Sequence, residues 1–169
     1  GSSFDQDTNL YVRYGDDTNI AVNPVTNNRS WVWNYHLVKS GLGKLIIDGQ
    51  RTYLGSTTLN SGTLELRGVN DFGGAGQTID ILGGVLAVSS DAALGDALNS
   101  VTISANGGTA ATGFGVTNTF ATARTLNLNA ATSSLSVLLG KTLTVSNPFV
   151  FSAAGNVLAK NGSGTLVLP

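Results

Sequence analysis

The stretch Trp31-Val32-Trp33-Asn34-Tyr35 has residue types and spacing suited to recognising a partner. In an extended strand, Trp31, Trp33 and Tyr35 share one face. Exposed, such a row stacks on sugars or anchors a protein partner. Buried, it plugs the end of a stacked fold, and Arg29 and His36 beside it suit either arrangement. Residues for acid–base work are thinly spread. All ten acidic residues lie at or before Asp96, so none of the 73 following positions carries a carboxylate. Polysaccharide-cleaving folds need clustered carboxylates for catalysis or for calcium. Glu65 is the only glutamate; Asp16 and Asp17 are a possible acidic pair, yet adjacent residues of a strand point to opposite faces, so the two read as a solvated turn. His36 is the single histidine; Ser40 lies nearby, yet no Gly-x-Ser-x-Gly elbow exists to build a triad.

Two further motifs fail on chemistry. Leu135-Ser136-Val137-Leu138-Leu139-Gly140-Lys141-Thr142 ends like a phosphate-binding loop but has leucine where the first glycine is required. Gly73-Gly74-Ala75-Gly76-Gln77-Thr78 begins like a calcium nonapeptide, with Thr78 in place of the ligand aspartate. With no cysteine, thiolate metal sites and disulfides are excluded as well. The sequence therefore predicts no catalytic residue, no metal and no cofactor. A net charge of -1 gives no basic patch, which argues against nucleic acid.

The elements that would carry these residues read as strands. Charged residues are only 11% while hydrophobic ones reach 41%, and Gly, Thr, Ser, Asn and Ala fill the difference. Such a mixture suits short strands between many tight turns. One segment repeats clearly. Leu37-Val38-Lys39-Ser40-Gly41-Leu42-Gly43-Lys44-Leu45-Ile46-Ile47 returns as Leu158-Ala159-Lys160-Asn161-Gly162-Ser163-Gly164-Thr165-Leu166-Val167-Leu168. Weaker echoes are Leu64-Glu65-Leu66, Leu86-Ala87-Val88, Val101-Thr102-Ile103, Leu126-Asn127-Leu128 and Leu143-Thr144-Val145. Read as one series from Leu45 to Leu166, they advance by about 20 residues and predict seven stacked rungs, roughly 34 Å tall. Glycines before several echoes, at Gly62, Gly84, Gly140 and Gly164, suit the sharp corners of a coil. Leu45, Leu64 and Leu86 are expected to form one interior column, and Ile47, Leu66 and Val88 the next. Asp48 and Arg67 each follow their strand by one residue and should pair across rungs. No helical period is found; the Ala-rich Asp91 to Leu98 is too short and holds Gly95.

The segment from Lys39 to Leu66 resembles the autotransporter passenger-associated β-strand repeat. The likeness lies in Lys-x-Gly-x-Gly, the Leu45-Ile46-Ile47 strand, Thr52-Tyr53-Leu54-Gly55, Thr57-Thr58 and Gly62-Thr63-Leu64. Ala92-Ala93-Leu94-Gly95 and Arg124-Thr125-Leu126 are similar to its continuation. The resemblance implies a right-handed, single-stranded parallel β-helix of about 20 residues per rung across residues 37–169. Residues 1–36, with both tryptophans and three of the four tyrosines, form an atypical segment: degenerate rungs at Leu10–Val12 and Ile20–Val22, or a cap.

The resemblance further implies a type V secreted passenger at the bacterial cell surface, held to the outer membrane only through a carboxy-terminal barrel absent from this chain. The opening Gly1-Ser2-Ser3 likewise reads as the scar of an excised piece. The functional expectation is a non-catalytic stalk and adhesive surface in adhesion, autoaggregation or biofilm, through self-association or a host protein or glycan. The alternatives are a host protein- or glycan-binding virulence module using Trp31, Trp33 and Tyr35, and a carbohydrate-active β-helix enzyme.

Overall fold

The computed structural model describes residues 10–14, 35–48, 52–53, 55–72, 75–106 and 112–169. Strand β1 (Leu10–Tyr14) comes first. The chain then repeats a three-sided turn. The first turn holds β2 (Tyr35–Lys39), β3 (Lys44–Ile47) and β4 (Thr52–Tyr53). The second holds β5 (Thr57–Leu59), β6 (Thr63–Leu66) and β7 (Asp71–Phe72). In the third, β8 (Thr78–Ile81) and β9 (Val85–Val88) are followed by a single 3-10 turn, Asp91–Leu94. The fourth holds β10 (Ser100–Ile103), β11 (Gly113–Val116) and β12 (Phe120–Thr122). The fifth holds β13 (Leu126–Leu128), β14 (Thr132–Val137) and β15 (Thr142–Val145). The last strands are β16 (Val150–Phe151), β17 (Val157–Asn161) and β18 (Thr165–Val167).

The result is an all-β parallel solenoid of about five turns, with about 22 residues per turn. Its first face stacks β2, β5, β8, β10, β13 and β16, and its second stacks β3, β6, β9, β11, β14 and β17. The third face is split into β4–β7 and β12–β15–β18, because the 3-10 turn stands where a strand would otherwise lie. The expected columns are present: Leu45, Leu64 and Leu86 pair in register, as do Ile47, Leu66 and Val88. Leu64, Leu66, Leu86 and Val88 are fully buried. Burying each such side chain contributes about 1.5–3 kcal/mol before ordering entropy is subtracted.

The seven-rung series is corrected. Val101–Ile103 and Leu126–Leu128 belong to the first face, and Leu143–Val145 and Leu166 to the third. The two motif copies also sit at different corners: Lys39 ends a first-face strand, whereas Lys160 lies in a second-face strand over Leu135. Within one true column, Lys39, Leu59, Ile81, Ile103, Leu128 and Phe151 advance by 20, 22, 22, 25 and 23 residues. At the first corner, Gly62 and Gly84 both hold φ of 74°. A Cβ on Gly84 would collide with the Gly62 carbonyl oxygen beneath it. Stacked corners this close admit only glycine.

Strand β1 pairs antiparallel with β2, Leu10 against Lys39 and Tyr14 against Tyr35, so it runs against the coil and covers the free edge of the first face. Residues 20–22 lie outside the described residues.

Candidate functional site

The outer side of the first face carries mostly polar side chains, with Val38 and Val150 at the two ends of one column. Alternation along each strand turns every second residue outward. One column runs His36, Ser56, Thr78, Ser100 and Thr125; the next runs Val38, Thr58, Asp80, Thr102, Asn127 and Val150. Neighbours along the coil are tied together. His36 Nδ1 lies 2.9 Å from Ser56 Oγ and accepts from the Ser56 backbone N–H at 3.1 Å. Asn60 donates to Ser40 Oγ at 3.0 Å, Ser104 to Asp80 at 3.0 Å and Asn127 to Thr102 at 3.2 Å. Thr78 and Ser100 hydroxyls lie 3.2 Å apart. Among the described residues of these two columns, Asp80 is the only carboxylate. These described residues can donate and accept neutral hydrogen bonds, and no second carboxylate stands among them for acid–base work. His36 is bonded to Ser56, while Ser40 is engaged by Asn60 instead.

Charges gather on the outer side of the second face. Glu65 accepts from Lys44 at 2.5 Å and from Arg67 at 2.6 Å, and it is 8% exposed beneath them. Hydrogen bonds from Arg67 and then Lys44 hold its carboxyl below the ordinary glutamate range, against a desolvation that pulls the other way. The same bond raises Arg67. The expected Asp48–Arg67 pair is present at 3.9 Å, longer than the Glu65 contact.

Two buried cations do structural work that sequence reasoning missed. Lys39 is 0% exposed within the interior column. Its ammonium donates to the carbonyls of Ser40 (2.9 Å), Gly41 (2.8 Å) and, one turn on, Ser61 (3.1 Å). Burial pushes it below the usual lysine range. The signal was its parity: two residues after Leu37, Lys39 must face inward. Arg124, 3% exposed, grips the 3-10 turn. It donates to the Asp91 carboxylate at 2.9 Å and to the carbonyls of Asp91, Leu94, Gly95, Asp96 and Asn99. Only its arginine identity hinted at this role.

The other sequence candidates are placed as follows. Trp31 and Trp33 lie outside the described residues, as do Arg29, Asp16, Asp17, Gly73 and Gly74. Tyr35 opens β2 opposite Tyr14. Leu135–Val137 closes β14, and after the Gly140–Lys141 turn a strand follows, not a helix. Thr78 opens β8. Among the described residues, no group of three or more His, Cys, Asp or Glu could hold a metal ion. No helix of the described residues is long and apolar enough to cross a membrane.

The family model described as passenger-associated-transport-repeat matches residues 37–66. No curated protein and no solved structure matches the chain. The matched stretch runs from β2 to the end of β6 and contains both partners of two contacts between turns, Lys39 with Ser61 and Lys44 with Glu65. This repeat family is structural rather than catalytic.

Proposed function

We propose that this solenoid, with its passenger repeat, is part of an autotransporter passenger on the bacterial cell surface, a non-catalytic stalk and adhesive surface in adhesion, autoaggregation or biofilm. The observation that carries the reading is the repeat match at residues 37–66 set in a continuous parallel coil. The hydroxyl and amide lattice of the first face supports the adhesive part. Each neutral hydrogen bond to a like surface or a glycan contributes about 0.5–1.5 kcal/mol net. Repeated along a coil and over many copies on a cell, such contacts add by avidity. Deleting residues 37–169 from the parent protein should shorten the surface projection and reduce aggregation or adhesion, measured by settling and surface-attachment assays. A deletion strain that aggregates and adheres like its parent would sink the adhesive role. Cleavage of a polysaccharide by the isolated chain would overturn the non-catalytic reading.

A further inference from the structure

Residues 91–99 turn six oxygens toward one side chain. They are a carboxylate oxygen of Asp91 and the carbonyls of Asp91, Leu94, Gly95, Asp96 and Asn99, and the side chain is Arg124. The loop is shared between the turns on either side of it. Beneath, Asn70 donates to the Ala92 carbonyl from its backbone N–H at 3.1 Å and to the Ala93 carbonyl from its side chain at 2.9 Å. Within the loop, the Gly95 N–H reaches the Ala92 carbonyl and the Asn99 N–H the Asp96 carbonyl. The five carbonyls bonded to Arg124 face the fourth turn, which carries that residue between β12 and β13.

A guanidinium carries five N–H groups in a planar fork. Arg124 Nε donates to the Asp91 carboxylate at 2.9 Å, and Nη2 to the carbonyls of Asp91 at 3.0 Å and Gly95 at 2.7 Å. Nη1 donates to the Asp96 carbonyl, with those of Asn99 and Leu94 at the longer 3.4 and 3.5 Å. Every nitrogen is engaged, and the residue is 3% exposed. Carbonyl dipoles that converge in this way repel one another unless a positive charge lies between them. The shape of the cation matters as well as its sign. The oxygens are divided among three nitrogens, so no single point meets them all. A lysine ammonium holds its three N–H groups on one atom. Calcium gathers about 6–8 oxygens around one centre. Neither reproduces the fork.

We infer that residues 91–99 form a guanidinium-binding cradle, a loop that takes its fold only around a planar cation, with Arg124 as its resident ligand. The class of ligand it takes is guanidinium and its alkyl derivatives, in preference to an ammonium or a metal ion. In the native chain the ligand arrives on the following turn, so the third turn is complete only once the fourth is wound onto it. The inference is independent of the surface role proposed above.

The test removes the resident ligand from the full chain and supplies a free one. In Arg124→Ala, the amides of Ala93, Gly95 and Asn99 should exchange at least about tenfold faster than in the parent chain. Millimolar ethylguanidinium should restore their protection, while the same concentration of ethylammonium or calcium chloride should not. Arg124→Lys should leave the three amides as open as alanine does. Should the alanine chain not fold unaided, refolding is followed with each cation present, and recovery with ethylguanidinium alone is the expected result. Unchanged protection in Arg124→Ala would overturn the inference, since the loop would then fold without a cation. Failure of ethylguanidinium to restore it would do the same. So would equal rescue by ethylammonium or calcium, which would show that the loop reads charge and not the planar fork.

Discussion

Glu65 shows how much of this protein's electrostatics is concentrated on one side chain. Its carboxylate is nearly covered and takes hydrogen bonds from Lys44 and Arg67. The folded carboxyl titrates lower than the unfolded one, so the unfolded chain binds the extra proton as the solution is acidified. The stability from this group is fully present above the unfolded value of about 4.3 and is lost as pH falls through the folded value. Glu65→Gln should lower the urea midpoint at pH 7 and flatten its decline below about pH 4. An acid-side decline identical in wild type and variant would contradict this. The Asp48–Arg67 pair was legible because Ile47 and Leu66 share a register. Glu65 was not, since alternation places it outside without saying that its neighbours will close over it.

At the level of elements, the 3-10 turn Asp91–Leu94 replaces one strand of the third face, and Arg124 from the next turn holds it. Removing that guanidinium would leave buried carbonyls without their donor, a cost of about 1–3 kcal/mol for a group left unsatisfied, while the Asp91 carboxylate, a third exposed, is partly solvated. Arg124→Gln should therefore speed amide exchange at Ala93 and Gly95, while the Leu64–Leu86 ladder keeps its protection. Uniform loss of protection along the coil would show that the turn is not a local unit. The strands themselves were legible from alternation of apolar residues. Their assignment to faces was not, because all three faces use the same Leu-x-Leu alphabet. The tell lay in uneven steps: Leu86 to Val101 is 15 residues and Val101 to Leu126 is 25. Averaging to about 20 hid a change of face. The 3-10 turn was invisible for a related reason, as Ala93 and Leu94 bury the same apolar surface that a strand would. Of the candidate site, the hydroxyl-rich rows were legible from composition, but their hydrogen-bonded order depends on which turn lies beneath which.

Across the whole molecule, the parallel pairing sets the direction of every hydrogen bond between turns: along the coil axis, from one turn to the next. The consequence is mechanical. Tension applied at the two ends does not shear a ladder broadside. It peels the outermost turn one corner at a time, each corner yielding before the next is loaded. A released turn of about 22 residues pays out roughly 75 Å of extended chain at about 3.4 Å per residue. Pulling a single molecule in a force spectrometer should give successive small steps near that length, and one abrupt release of the whole coil would rule this out. If the proposed surface role holds, such a tether would lengthen under load while its remaining turns stay intact, and a cell held by many such coils would share a sudden pull among them.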